Sequence, residues 1–394
     1  MNSDARPFLG LAPFLRLSIA GADLRQRAQE LLAAAQQSPD ANQLMNVATV
    51  MFCLGQRDLA LSIQAQALAM QRGFHLPAAR RPARLRLLML AAPGDLGANT
   101  PIDCLLEDSD IDIEIQYVAA DQLPALPVPD HDVVLVGIGA GESDLLRALE
   151  PVLAQWSKPV INAPQRISVT ERSAASRLLR DAPGILMPST LTAKRKHLQE
   201  IAGGGARLSD YFVGCDFPVI LRPLDSHGGH GLERIDGRAD LAGYLGRINE
   251  AQFYLSPFVD YSGADGLFRK YRVALIDGVA YACHMAISEQ WMIHYVNAGM
   301  YEDAAKRAEE ADFMANFGDF ARRHGAALAA VHERTGLDYL CLDCAESRDG
   351  RLLIFEIDHV MVVHAMDPED LFPYKRAQMQ KVVDAFRNLL LARA

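Results

Sequence analysis

The sequence lacks the excess of positive charge that a nucleic-acid-binding protein needs. It has 39 Lys and Arg residues against 49 Asp and Glu residues, which gives a formal net charge of -10 over 394 residues. Nucleic-acid binding depends on a basic surface that neutralises phosphates, so we expect no nucleic-acid partner. A local basic pocket for a small anion remains compatible with this composition. The sequence also lacks an apolar run long enough to span a bilayer, and we expect no membrane partner.

Cysteine is scarce as well. Six cysteines are spread over the chain, without the density of a secreted disulfide framework. Cys341 and Cys344 form one CxxC motif, but no second CxxC exists to complete a four-sulfur zinc site. On a strand their spacing would direct the two sulfurs to opposite faces, which favours a structural role over zinc or redox chemistry. Pro13 and Arg16 interrupt the apolar segment near the N-terminus, so a secretory signal is disfavoured and a cytoplasmic protein is expected.

The first 82 residues are predicted to form a helical region. Ala and Leu recur at helical spacing on both sides of Gly55, which separates two amphipathic halves. This helix pair resembles a tetratricopeptide repeat, in which Ala60 and Ala67 would allow the helices to approach closely. Only one repeat is recognisable, so two interpretations stay open. The region is either a helical cap on the next domain or a surface for a homodimer or another protein partner.

Residues 83–165 show the alternation of a parallel α/β domain. Apolar strands at 111–118 and 132–139 are separated by helical stretches. The glycines of VGIGAG at 136–141 do not match the dinucleotide-binding pattern, which favours a strand-to-helix turn over a nucleotide site. The loop ANTPID at 98–103 follows a strand, a position where open α/β sheets bind ligands.

Residues 166–394 have shorter strands and hairpin turns. The Asp-Gly pairs at 277–278 and 349–350 are strong hairpin signals. We predict one amphipathic helix over 313–335 and a terminal helix over 373–394.

Three carboxylates belong to the second of these hairpins. Asp343 lies on one strand, and Glu356 and Asp358 lie two apart on the return strand. Antiparallel pairing would place all three on one face. Magnesium prefers a few carboxylate oxygens together with water and phosphates. The residues alone leave two alternatives, a metal site or acids that face solvent on a half-exposed sheet.

A glycine-containing loop precedes this hairpin by more than a hundred residues. In LRPLDSHGGHGLERI, at 221–235, Arg222 ends an apolar strand and two glycines lie between His227 and His230. Such a loop either closes its backbone amides over phosphate oxygens or is a tight turn between strands. Further along, the basic residues of FRKYRVALIDG are concentrated in a chain that is acidic overall.

Taken in this order, the motifs resemble the ATP-grasp superfamily of carboxylate ligases, over roughly 158–365. The acid spacing of Asp343, Glu356 and Asp358 is the most specific feature. The resemblance implies a fold of the α/β and α+β classes in three parts. These are a helical tetratricopeptide-like region (1–82), a parallel α/β pre-domain (83–165), and an ATP-grasp domain (166–394) with the nucleotide between two α+β lobes and a lid lobe at about 185–258.

The resemblance also implies roles for individual residues. The three acids would hold two Mg²⁺ ions, with Mn²⁺ as the alternative metal. Arginine replaces a phosphate-binding lysine at 222, and aspartate replaces the commoner asparagine at 358. The expected metal ligands are Asp343, Glu356 and Asp358. The expected ATP-binding residues are Arg172, Arg222, His227, Gly228, Gly229, Ser256, Phe258, Val259 and Lys270, and the expected catalytic residues are Arg272 and Asn297.

The function implied is ATP-dependent ligation. A carboxylate would be activated as an acyl phosphate and joined to an amine, with amino-acid or small-peptide substrates. A non-catalytic nucleotide-binding regulator or scaffold that uses the helical region is the alternative, and a phosphotransferase is a third. Three converging acids that cost stability without a metal argue against loss of catalysis.

Overall fold

A computed structural model of the chain describes residues 7–37, 40–123, 128–224 and 229–394. Within these residues the strands form three sheets, and helices accompany each sheet. The predicted mixture of α/β and α+β structure is therefore confirmed. None of the helices in these ranges is both long and apolar enough to cross a membrane.

The N-terminal region begins with helices. They are α1 (Ala12–Ile19), α2 (Leu24–Gln37), α3 (Ala41–Cys53) and α4 (Arg57–Met70). The chain turns between α3 and α4 at Gly55, whose φ of 72° lies in the left-handed region that favours glycine. Ala60 and Ala67 are fully buried, and Met45 and Leu68 join the hydrophobic core of the first sheet. The helices thus pack on the following domain, while the tetratricopeptide resemblance stays a prediction.

The first sheet contains five strands. They are β1 (Gly73–Leu76), β2 (Leu85–Ala91), β3 (Ile111–Tyr117), β4 (Val133–Val136) and β5 (Val160–Ile161), in the order β1-β3-β2-β4-β5. The predicted parallel pairing of β2 to β5 is confirmed. The prediction of an all-helical first 82 residues is wrong at β1, which pairs antiparallel with β3. Four residues are too few for their alternation to be recognised, and tertiary pairing decides their conformation.

Helices occupy the connections of this sheet and the segment after it. They are α5 (Ile102–Leu106), α6 (Ser143–Leu153), α7 (Pro164–Ile167) and α8 (Arg172–Leu179). The buried face of α6 contributes Leu146 and Leu149 to a core that extends into the third sheet. The first and third sheets are therefore joined by one continuous apolar interior.

A short strand, β6 (Ile185–Leu186), leads into the second sheet. This sheet is formed by β7 (Leu191–Lys194), β8 (Val219–Pro223), β9 (Glu233–Ile235) and β10 (Gln252–Pro257), in the order β7-β10-β8-β9. All its pairs are antiparallel. The helices α9 (Arg195–Ala202), α10 (Leu208–Tyr211) and α11 (Arg238–Arg247) accompany it. Leu198, Tyr244 and Phe253 belong to a separate core, and we call this unit the small lobe.

The third sheet is the largest. It adds β11 (Phe268–Ile276), β12 (Val279–Ser288), β13 (Tyr339–Glu346) and β14 (Leu352–Asp358) to β6, in the order β12-β11-β13-β14-β6. Ile276 pairs with Val279 across a two-residue turn, which confirms the first Asp-Gly hairpin. Glu346 pairs with Leu352, and Gly350 between them has a φ of 82°, which confirms the second.

The helices after β12 depart from the prediction. They are α12 (Ala304–Ala315), α13 (Phe317–Arg323), α14 (Gly325–Thr335) and, at the C-terminus, α15 (Lys375–Arg393). The prediction of a single helix over 313–335 is therefore wrong. The helix is interrupted at Asn316 and His324, whose ψ angles are 22° and 16°. His324 is buried and contacts Glu346 through Nε2 at 2.8 Å. The predicted terminal helix is confirmed.

Candidate active site

A cavity of about 300 Å³ opens between the small lobe and the third sheet. Side chains from β8 and β10 form one wall, and side chains from β11, β13 and β14 form the opposite wall. The segment after β12 contributes residues at its rim. Its described lining is Arg172, Met187, Pro188, Thr190, Ile220, Arg222, Gly229, Leu232, Tyr254, Ser256, Pro257, Phe258, Val259, Tyr261, Lys270, Arg272, Trp291, Met292, Ile293, His294, Asp343, Leu353, Ile354, Phe355 and Glu356.

Most of the expected site residues meet in this cavity. Asn297 and Asp358 are not part of its described lining. Asn297 instead accepts a hydrogen bond from the His294 backbone N–H at 2.8 Å, in a 3-10 turn. His227 and Gly228 lie outside the described residues, whereas Gly229 lines the cavity. The assignments of function to these residues stay predictions.

Two arginines lie together at one end of the cavity. Arg222 is on β8, and Arg172 is the first residue of α8. Glu171 caps α8 by accepting from two backbone N–H groups, and it accepts the Tyr254 hydroxyl at 2.8 Å. Burial and the charge of Arg172 lower the pKa of Arg222 to about 10. A bound anion would stabilise the charged form of an arginine in such surroundings.

A second cationic group surrounds Asp343. Arg272 pairs directly across β11 and β13 with Asp343, and donates to it through Nε at 2.8 Å and Nη2 at 3.0 Å. Lys270 Nζ lies 2.7 Å from Asp343 Oδ2. Burial alone would raise the pKa of the Asp343 carboxyl, but the charges of Arg272 and Lys270 hold it far below its ordinary range. This carboxylate therefore stays ionised.

The described lining carries a net positive charge. Four cationic side chains and two carboxylates line the cavity, in a protein whose formal net charge is -10. The cations are Arg172, Arg222, Lys270 and Arg272. Because low-dielectric walls concentrate the field of such a group, this end of the cavity is suited to a compact polyanion.

Another part of the cavity lining is apolar and aromatic. Phe258 and Trp291 pack edge to face with ring centroids 5.7 Å apart, and the Arg234 guanidinium lies 4.3 Å above the Phe258 ring. Ser256 lies near the end of β10, Phe258 and Val259 follow the strand, and the Phe258 N–H donates to Pro218 O at 3.0 Å. A planar apolar group fits beside these side chains.

The carboxylates of the β13–β14 hairpin are paired as predicted. Asp343 is the register partner of Glu356, and Asp358 pairs with Cys341. Glu356 forms an ion pair with Arg172. Asp358 Oδ1 accepts from Val360 N at 3.2 Å and lies 3.4 Å from His359 Nδ1. Nevertheless, no group of three or more His, Cys, Asp or Glu residues in the described ranges is arranged to hold a metal ion.

These contacts distinguish Asp343 from Glu356 and Asp358 as candidate metal ligands. Both oxygens of Asp343 are engaged by cations, and this carboxylate does not fit the expected role in the described arrangement. The side chains of Glu356 and Asp358 are 29% and 21% exposed. Accessible carboxylates of this kind suit a hard cation that also takes phosphate and water.

Sequence reasoning left several lining residues out of the predicted site. His294 Nε2 is buried without a hydrogen-bond partner in the described part of the chain. A Cβ placed on Gly229 would overlap that atom, so a glycine is needed where the small lobe approaches His294. Trp291 and Met187 were missed because they lie in connections, where no periodicity marks a side chain as pointing into a cavity.

A buried polar network supports the segment that carries His294. Glu310 of α12 is fully buried and accepts from the Met285 N–H at 3.0 Å, the Tyr295 hydroxyl at 2.8 Å and the Tyr374 hydroxyl at 2.6 Å. Lys375 of α15 lies 3.5 Å from Glu310. The network joins β12, α12 and α15 to the residue next to His294, and so fixes this rim of the cavity.

Glu310→Ala is expected to lower the free energy of unfolding by roughly 3 kcal/mol or more, because it leaves buried donors without an acceptor. Glu309→Ala is the matched control on the same helix. The Glu309 side chain is 43% exposed and pairs with Arg269, so a loss within about 1 kcal/mol is expected. Urea denaturation of both variants measures the difference, and equal losses would contradict the assigned importance of the network.

Comparison with known proteins finds only weak structural similarity. No family model matches the chain, and no curated protein matches it. D-alanine--D-alanine ligase from Bacillus anthracis complexed with ATP is 13% identical with a TM-score of 0.47, covering 78% of this chain and 97% of that one. VanG D-Ala:D-Ser ligase from Enterococcus faecalis is 12% identical with a TM-score of 0.47, covering 78% and 99%.

A RimK domain protein ATP-grasp from Sphaerobacter thermophilus is 17% identical with a TM-score of 0.42, covering 78% of this chain and 99% of that one. At this level of similarity the matches do not assign the chain to a family.

Proposed function

We propose that the protein is an ATP-dependent ligase of the ATP-grasp type, which activates a carboxylate as an acyl phosphate and joins it to an amine. The observation that supports this most strongly is the lining of one cavity, which combines apolar and aromatic side chains with four cations and Glu356. The aromatic side chains suit a purine, and the cations suit phosphates. Few small molecules combine a flat apolar ring with a compact polyanion, and a nucleoside triphosphate is the common one.

The proposed nucleotide lies between the small lobe and the third sheet. Adenine packs near Phe258 and Val259, and Ser256 lies at the same connection. The phosphates extend toward Arg172 and Arg222. Arginine binds phosphate through a planar fork of donors, and each charged hydrogen bond contributes about 1.5–3 kcal/mol. The small lobe, from about 185 to 258, is the proposed lid lobe.

Glu356 and Asp358 are the proposed ligands of magnesium, with manganese as a substitute. Their carboxylates match the oxygen preference of these ions, and Glu356 contacts Arg172 in the cavity lining. When bound, the metal would supply neutralisation of phosphate charge during phosphoryl transfer. Arg172, which contacts Glu356, would orient that carboxylate and contact phosphate.

Lys270 and Arg272 are proposed to bind the reacting groups. A substrate carboxylate oxygen attacks the terminal phosphorus of ATP, which forms an acyl phosphate and releases ADP. An amine then attacks the acyl carbon, the carbon–oxygen bond to phosphate breaks, and phosphate leaves. The two cations would hold the carboxylate and the transferring phosphoryl group near each other. Amino acids or small peptides are the proposed substrates, and Asn297 is proposed to approach the acceptor.

The test is ADP release with magnesium across a panel of carboxylic acids and amines, followed by identification of the product by mass spectrometry. We expect one class of acid to stimulate ADP formation, and an amide product when the matching amine is present. ADP formation that no acid stimulates, in a protein that binds ATP, would contradict the ligase proposal. A phosphorylated product without an amide would indicate a phosphotransferase instead.

A further inference from the structure

The contacts of Asp343 differ in kind from those of the other two acids. Its side chain is 6% exposed, and its oxygens accept from Arg272 Nε at 2.8 Å, Arg272 Nη2 at 3.0 Å and Lys270 Nζ at 2.7 Å. The guanidinium contact is a two-point fork, a strong and directional form of ion pair. Both oxygens are thus engaged by protein cations.

The local charge opposes metal binding at this carboxylate. One negative and two positive side chains leave a net charge of +1 around Asp343. A divalent cation bound to Asp343 would share the carboxylate with Arg272 and Lys270 and would lie close to both of these positive charges. Burial strengthens the resulting repulsion, because charges interact more strongly at a low effective dielectric.

The contacts with Asp343 also fix the positions of the Arg272 and Lys270 side chains. Arg272 Nη1 donates to Val362 O at 2.9 Å, and Lys270 Nζ donates to Ile293 O at 3.3 Å. Asp343 therefore completes a frame that fixes both cationic side chains between β13, the segment after β14 and the segment that carries His294. Both residues line the cavity in this arrangement.

We propose that Asp343 is a positioning residue for Lys270 and Arg272 and is not a ligand of the divalent cation, which Glu356 and Asp358 bind. This inference rests on the proposed function, because it concerns the same nucleotide site. It departs from the three-acid metal site that the sequence motif implies. The hairpin then serves two purposes: Asp343 orders the cations that hold the reacting groups, and Glu356 and Asp358 serve the metal.

The test is the coupling between metal and nucleotide binding, which is the ratio of the Kd of AMP-PNP without Mn²⁺ to its Kd with Mn²⁺. Such a ratio reports the interaction between the two ligands. For Asp343→Asn we expect a ratio within about 3-fold of that of the unaltered protein. For Glu356→Gln and Asp358→Asn we expect a ratio at least about 10-fold smaller, as when a metal site is impaired. A ratio that collapses in Asp343→Asn as it does in Glu356→Gln would overturn the inference.

Positioning is tested separately by kinetics. We expect Asp343→Asn to lower kcat by at least about 10-fold while the Kd of AMP-PNP stays near its original value, because misaligned cations affect the reaction more than binding. An unchanged kcat would overturn the positioning role.

A crystal structure of the unaltered protein with AMP-PNP and Mn²⁺ keeps the inference testable even if Asp343→Asn does not fold. We expect Asp343 to remain bonded to Arg272, and an Asp343 oxygen at the bond distance of the metal would contradict the inference. A protein that binds no AMP-PNP with or without Mn²⁺ would overturn both this inference and the proposed function. If the protein binds AMP-PNP but the ratio of its Kd values without and with Mn²⁺ collapses in Asp343→Asn, only the inference would be overturned.

Discussion

Glu356→Gln is expected to reduce magnesium-dependent ADP formation by at least about 100-fold while the protein stays folded. Preorganised charge at a phosphoryl-transfer site contributes effects of this size, and the substitution removes the charge of a proposed metal ligand. Glutamine has the shape of glutamate and still accepts a hydrogen bond from Arg172, which pairs with Glu356. The loss of activity should therefore not come from a collapse of the cavity. ADP release and circular dichroism measure the two quantities.

Glu346→Gln is the matched control. Glu346 lies on the neighbouring strand β13 with a side chain 33% exposed, and it contacts Arg323 and His324. It is absent from the described lining of the candidate cavity. We expect this variant to keep ADP formation within about 3-fold. Undiminished activity in Glu356→Gln would contradict the metal assignment, and equal losses in both variants would point to a general effect of charge on the hairpin.

Arg222→Met is expected to weaken the binding of ATP by roughly 10- to 150-fold. This corresponds to the loss of a charged hydrogen bond worth about 1.5–3 kcal/mol. The surroundings lower the pKa of Arg222 to about 10, mainly through burial and the charge of Arg172, and a bound anion would stabilise the charged form.

The control for this variant is Arg247→Met in the same lobe. Arg247 is 61% exposed and pairs with Glu233, so both its affinity and its stability effects should stay within about 1 kcal/mol. Isothermal titration with ATP and urea denaturation provide the two measurements. A variant Arg222→Met that binds ATP normally would contradict the phosphate role.

The parts of the site that could be predicted rest on local information. An Asp-Gly turn and strand alternation suffice to place Glu356 opposite Asp343, and that pairing is present. The strands β3 and β4 of the first sheet were predictable, because β3 alternates apolar with polar residues and β4 is a continuous apolar run. The four-residue strand β1 and the breaks at Asn316 and His324 were not, because tertiary contacts decide them. His324, for example, is buried against Glu346.

The partners of the acids could not be predicted from the sequence. Arg172 lies 184 residues before Glu356, and Arg272 lies 71 residues before Asp343. No spacing rule links side chains that meet only after the sheets are assembled. The sequence indicated cations and acids in one site, but it could not show which acid would be paired with protein cations. This pairing decides whether Asp343 is a metal ligand or a positioning residue.

The most direct test of carboxylate activation uses an acid that stimulates ADP formation, labelled with ¹⁸O in both carboxylate oxygens. The acid is converted to product with ATP, magnesium and the matching amine. If the carboxylate attacks the terminal phosphorus, one labelled oxygen stays with phosphorus when the acyl carbon–oxygen bond breaks. Mass spectrometry should therefore find one ¹⁸O atom in each phosphate released. Phosphate without label, formed at the same rate as ADP, would contradict an acyl phosphate intermediate and with it the proposed function.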